Sequence, residues 1–228
     1  MTLPSDPPAS LEKAFQLLQS EYLDALVKGS LGQAEEVVQR ALNEGLAAGD
    51  VYLNIFQSAA YEIGRLWQVN QISVAQEHLA TAIIERQMGV MHTYFKPVTL
   101  RYKTLILGCI EHELHRVGPR MVADFFEQDG WNVIYLGPDV PTEAFVSMIH
   151  DISPDLIGIS AQMVIRLPAL AEFARKLNRQ GLGGIPIMAG GQPFIEQPEL
   201  FRSLGVQFTG NDARAALAAA NRWMAKAD

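Results

Sequence analysis

A single cysteine, Cys109, serves a chain of 228 residues. One thiol excludes an internal disulfide and any paired-cysteine zinc site. It closes the apolar run Thr104–Cys109, the setting of a buried structural thiol rather than a nucleophile. Basic charge is also scarce. Eighteen Lys and Arg face twenty-five Asp and Glu, a net charge of −7. Such a chain lacks the basic face that phosphate backbones require, so direct DNA binding is not expected. No apolar run approaches the ~18 residues that would span a bilayer. The first ten residues are polar and proline-rich, without the apolar centre of a secretion signal. These absences predict a cytoplasmic chain with no membrane partner. What is abundant is core-forming material: 49% of residues are hydrophobic, too many for disorder.

The hydrophobic period changes part-way along the chain. After an expected disordered tail at 1–9, residues 10–95 read as helical. Ser10 is a candidate cap, and Leu11, Phe15, Leu18 and Tyr22 recur three or four apart. A second helix is expected over 31–46, a third over 51–67, and a fourth from Ser73 past Met88. Short loops between them predict a four-helix bundle. A linker is placed at 96–101, where Lys96-Pro97 stops the pattern. From 102 to 228, strand-like runs alternate with helical ones. The expected strands are Leu105–Cys109, Val133–Leu136, Leu156–Ser160, Ile185–Ala189 and Val206–Thr209, with helices near 119–129, 142–150, 166–180, 197–203 and 212–225. Five such repeats predict a doubly wound, flavodoxin- or Rossmann-like domain with a five-stranded parallel sheet. The fold class is therefore α/β with a helical cap.

In open parallel sheets ligands bind beyond the carboxyl ends of the strands. The first loop there lacks G-x-G-x-x-G, which argues against a dinucleotide. It carries Glu113-Leu114-His115-Arg116-Val117-Gly118 instead. His115 is the candidate metal ligand, with Glu113 placed to orient its other ring nitrogen. His112-Glu113-Leu114-His115 is one residue short of H-E-x-x-H, so a zinc protease is discounted. Arg116 and Arg120 are candidate partners for polar groups of a ligand, or plain surface cations.

The segment Glu113-x-His115-x-x-Gly118 resembles the D/E-x-H-x-x-G motif of cobalamin-binding domains. Ser160-Ala161-Gln162 follows where that family has S-x-L, and Gly190-Gly191 where it has paired glycines. The resemblance implies cobalamin as cofactor, with His115 as the lower axial cobalt ligand. It also implies a slot for the displaced nucleotide tail, lined by Ser160, Gln162, Gly190 and Gly191. Glycines would allow close approach, and the serine hydroxyl would donate to a tail nitrogen. Gln162 stands where the family usually has Leu.

In the helical half, Trp67 and the pair Glu77-His78 form W-x9-E-H. Read from the residues alone, this is as well a core tryptophan followed by a solvated polar face. It also resembles the mark of the light-sensing cobalamin proteins, the CarH and LitR photoreceptors. That resemblance implies Trp67, Val74, Glu77 and His78 around the upper face of adenosylcobalamin, with methylcobalamin or hydroxocobalamin as other forms. Those photoreceptors add a MerR-type DNA-binding domain; with about ten residues before the first helix, no such domain is expected here. They also carry a His after the Trp, where this chain has Gln68.

The expectation is thus a non-enzymatic, cobalamin-dependent light or cofactor sensor in transcriptional regulation. It would act like an antirepressor, through a regulatory or signalling protein or through self-association. Its rivals are a corrinoid carrier shuttling methyl groups between methyltransferases and, more weakly, a fragment of an adenosylcobalamin mutase.

Overall fold

The structure, a computed structural model, describes residues 9–95, 99–197 and 199–227. The expected tail, apart from Ala9, and the first three residues of the expected linker lie outside the described residues. Two compact units divide between Tyr94 and Phe95.

The first unit is helical: α1 (Ala9–Val27), α2 (Leu31–Asn43), the single turn α3 (Ala48–Asp50), α4 (Ser58–Gln68) and α5 (Val74–Met91). Helix α1 already runs at Ala9, so Ser10 lies inside it instead of capping it. The third expected helix is more complex. A π-helical stretch, Val51–Gln57, runs from α3 into α4 and buries Val51, Tyr52, Ile55 and Phe56. Wider π turns are uncommon and are invisible to a 3.6-residue period. At Ser73 a capping box forms: the hydroxyl accepts from Gln76 N–H, and the Gln76 side chain accepts from Ser73 N–H. Inside the bundle the Tyr22 hydroxyl donates to Gln87 Oε1 at 2.5 Å, and Tyr52 donates to the Met88 carbonyl at 3.0 Å.

The second unit alternates strand and helix. In order it contains β1 (Thr104–Cys109), α6 (Val117–Gln128), β2 (Asn132–Gly137), α7 (Thr142–Ile152), β3 (Leu156–Ser160), α8 (Leu167–Arg179), β4 (Ile187–Gly190), α9 (Gln192–Glu196), α10 (Leu200–Ser203), β5 (Phe208–Thr209) and α11 (Ala213–Ala227). All pairings are parallel, in the order β2-β1-β3-β4-β5. Strands β1 and β3 are buried on both faces, and so they read as continuous apolar runs without alternation. Side chains alternate between two cores. Ile106, Ile157, Ile159, Ile187 and Ala189 pack with Phe145 and Phe173 on one face. Leu105, Leu107, Leu156 and Met188 pack with Phe126, Trp131 and Ala220 on the other.

Two boundaries moved for local reasons. Strand β4 begins at Ile187, not Ile185, because Pro186 has no N–H to give a ladder. The helix expected at 197–203 is two short ones. Gly191, at φ 127°, turns the chain straight from β4 into α9, and Pro193 opens that helix. No helix of the described residues is long and apolar enough to cross a membrane.

Candidate functional site

The strand order reverses between β1 and β3: the chain leaves β1 for β2 on one side and returns to β3 on the other. That switch point opens a crevice at the carboxyl ends of the strands. The loops that border it are 110–116 after β1 and 161–163 after β3.

Glu113 joins them. Its side chain is 1% exposed, and it accepts four hydrogen bonds. One carboxylate oxygen, Oε1, takes His115 N–H at 3.1 Å and His115 Nδ1 at 2.5 Å. The other, Oε2, takes Gln162 N–H at 2.8 Å and Met163 N–H at 3.3 Å. Burial alone would raise the Glu113 carboxyl, but the bonds from the His115 ring, from its backbone N–H and from Gln162 outweigh it. The net effect holds the group below the usual glutamate range. The carboxylate thus faces an Nδ1–H on His115, and a metal would meet the ring through Nε2. The ring itself is 54% exposed.

The β1 loop is fixed from other sides too. His112 N–H donates to Asp139 Oδ1 at 2.7 Å, and Asp139 N–H donates to the Glu113 carbonyl at 2.9 Å. Glu111 accepts from the Thr142 hydroxyl at the start of α7. Beneath the loop, the Cys109 thiol lies 3.6 Å from the His115 carbonyl oxygen. Burial, aided by the negative charge of Glu113 and partly opposed by Arg116, pushes this thiol up to about 12. It stays protonated at neutral pH and is no nucleophile.

Strand register explains the next feature. Cys109 pairs with Ser160, and Ser160 with Gly190. Paired residues in parallel strands share a face, here the one carrying Leu107 and Met188. Three small residues therefore line up across β1, β3 and β4 at the ligand edge. Ser160 is 8% exposed, and its hydroxyl makes no hydrogen bond among the described residues. A Cβ built on Gly190 would meet no atom within 4 Å. A hydroxyl that makes no internal bond among the described residues, beside room left by a glycine, fits a flat ligand group entering between α6, α11 and the sheet. Gly191 has a different task. A Cβ there would lie 2.1 Å from the Ala161 carbonyl oxygen, so glycine alone lets the β4 loop approach β3.

The remaining sequence candidates sit at the same edge or in the helical unit. Val117 and Gly118 open α6, with Arg116 at its cap position, where the Arg116 carbonyl accepts from the Tyr135 hydroxyl. Arg120 is engaged by buried Asp124 at 2.6 Å and lies over the Tyr135 ring, which makes it a structural cation. In the helical unit, Trp67 ends α4, while Val74, Glu77 and His78 open α5. The Trp67 side chain is exposed, against the reading of a core tryptophan. Glu77 accepts from the Thr81 hydroxyl at 3.0 Å and lies 2.6 Å from His78 Nδ1.

Sequence reasoning paired Glu113 with His115 but missed its second oxygen. Nothing in the spacing shows that the backbone of Gln162, forty-nine residues on, folds onto it.

A family model described as a B12 binding domain matches residues 103–218, more than half of the chain, and a second, also described as a B12 binding domain, matches 18–91. The chain belongs to the B12-binding family. Cobalamin is therefore its cofactor, and a Ser160 hydroxyl open to a ligand beside the room at Gly190 is of the kind such a ligand needs.

Among curated relatives, trimethylamine corrinoid protein 2 of Methanosarcina acetivorans is 29% identical over 173 residues, covering 71% of this chain and 78% of the relative. In solved structures, the monomethylamine corrinoid protein of Methanosarcina barkeri matches with a TM-score of 0.79 at 21% identity, covering 90% of this chain and 97% of that one. The methanol:cobalamin methyltransferase complex of Methanosarcina barkeri matches at a TM-score of 0.51 and 19% identity, over 98% and 86% of the two chains.

These relatives overturn the expectation of a light sensor in transcriptional regulation, and with it a regulatory or signalling partner. They are corrinoid proteins named for methyl-group substrates, not photoreceptors. The motif misled for a local reason. Within W-x9-E-H lie the turn at Asn70 (φ 57°) and the Ser73–Gln76 capping box, so much of the spacing encodes a helix–turn–helix junction.

Proposed function

We propose that this chain is a corrinoid carrier, not itself an enzyme, whose cobalamin takes a methyl group from one methyltransferase and yields it to another. The observation that carries this reading is Glu113, a buried carboxylate that holds His115 Nδ1 at 2.5 Å while tying the loops after β1 and β3 together. The names of the relatives supply the direction. When bound, cobalamin supplies a cobalt centre that accepts and releases a methyl group.

The protein's own part is positioning and proton control. His115 Nε2 is the proposed lower ligand. Glu113 keeps the proton on Nδ1 and raises the basicity of Nε2. A ligand held by so many cross-links needs little reorganisation as the cobalt gains or loses charge. The Ser160 hydroxyl is the proposed donor to the nucleotide tail, with Gly190 and Gly191 making room and Gln162 at the entrance. Arg116, Val117 and Gly118 would border the corrin. Trp67, Val74, Glu77 and His78 are the proposed upper-face residues. A carrier must present that face to its partners.

Reconstitution with cobalamin tests the reading. The wild-type spectrum is expected to show the tail base displaced and a histidine on cobalt, and His115→Ala is expected to lose that histidine. Methylcobalamin-loaded protein is expected to pass its methyl group to a thiol when a corrinoid methyltransferase is added. Cobalamin bound with its own base still on cobalt, alike in wild type and variant, would sink the proposal.

A further inference from the structure

Gln162 has hydrogen-bonding work that a leucine at its position cannot do. Its N–H donates to Glu113 Oε2 at 2.8 Å, which anchors its backbone on the β1 loop. Its side-chain Oε1 accepts from Gln192 N–H at 3.2 Å, at the start of α9. The residue therefore ties together the loops that follow β1, β3 and β4. The approach is close, since a Cβ on Gly191 would lie 3.1 Å from the Gln162 Cα.

The bond to Gln192 also settles which way the amide faces. A backbone N–H needs an acceptor, so the carboxamide oxygen takes that side and Nε2 carries its two hydrogens the other way. Nε2 makes no hydrogen bond among the described residues. Two residues earlier stands Ser160, whose hydroxyl also makes no hydrogen bond among the described residues and which is registered against Gly190. Two donors thus stand at the end of β3, Ser160 registered with Gly190 and Gln162 packed against Gly191.

We propose that Gln162 makes this site selective for a corrinoid that carries a nucleotide tail, its Nε2 donating a second hydrogen bond to an acceptor on that tail alongside the Ser160 hydroxyl. This rests on the corrinoid reading above. The acceptor is an oxygen of the ribose–phosphate link or a ring nitrogen of the base. Leucine would offer only apolar contact there and would leave Gln192 N–H without its partner.

Dissociation constants of the full chain for three corrinoids test this: cobalamin, its counterpart with an adenine base, and cobinamide, which has no tail. Gln162→Leu and the more isosteric Gln162→Met are expected to weaken cobalamin about 5-fold, the loss of one neutral hydrogen bond, and to leave cobinamide unchanged. Unchanged cobinamide binding also shows that the variants are folded. An equal loss for both tailed corrinoids assigns the ribose–phosphate link, and a loss confined to one assigns the base. Undiminished cobalamin affinity in the variants overturns the proposal. So does an equal loss for cobalamin and cobinamide, which would reduce Gln162 to a loop tie. A wild-type chain that binds none of the three would instead defeat the corrinoid reading beneath it.

Discussion

Two Glu–His pairs in this chain are made of the same residue types and built by opposite rules. Glu113 is 1% exposed, and two of its four hydrogen bonds reach residues 49 and 50 positions away. Glu77 is 25% exposed, and among the described residues its side chain bonds only to His78 and Thr81, its neighbours on one helix turn. The first pair belongs to a site assembled by tertiary structure before any ligand arrives. The second is what a helix start gives any sequence with those residues. A preformed geometry suits a group that must hold a ligand in one orientation, whereas a locally bonded, solvent-facing pair can change neighbours at little cost.

Substitution should separate the two corners clearly. The largest effect is expected at Gly191. Alanine there would combine backbone strain at φ 127° with a Cβ 2.1 Å from a carbonyl oxygen, for a loss of about 4 kcal/mol in urea unfolding. A near-neutral Gly191→Ala would show that the β4 loop has room to retreat and that the site is not preformed.

Glu113→Ala comes next, at about 3 kcal/mol, because it removes a buried carboxylate and strands the N–H donors of His115, Gln162 and Met163. Glu113 also sets a pH dependence. Its carboxyl is held below the ordinary value in the folded state, so its contribution is fully present above the unfolded value of about 4.3 and is lost as pH falls through the folded one. Wild type should therefore lose stability on acidification through that window more steeply than Glu113→Ala does. Parallel acid profiles for the two proteins would remove Glu113 as the linchpin.

The smallest effect belongs to the other corner. Trp67→Ala, at an exposed position, should change unfolding free energy of the apoprotein by no more than about 0.5 kcal/mol. A loss several times larger would place Trp67 in a core and erase the contrast.

Much of the fold was legible because periodicity is a local signal. The apolar runs of β1 and β3 and the stripe on α1 announce themselves within a few residues. The π stretch at 51–57 and the split into α9 and α10 did not, since both depend on packing and on a backbone angle only Gly191 adopts freely. The candidate site was half legible. His115, its carboxylate two residues before, Ser160 and the paired glycines could be found by spacing. Trp67, Glu77 and His78 could be found as well, but their spacing overstated its meaning, because a helix junction supplies much of it.

By itself, the sequence determined the alternation of strand and helix, the two hydrophobic periods, and a histidine beside a carboxylate on the first loop of the sheet. These follow from side-chain periodicity and from the residue types that metals and turns demand. Only the tertiary structure decided that Glu113 spends its second oxygen on the β3 loop, that Cys109, Ser160 and Gly190 align on one face, and that Gln162 ties β3 to β4. Each depends on which strands lie side by side and in what register, and register is set by burial on both faces of the sheet rather than by any run of neighbouring residues.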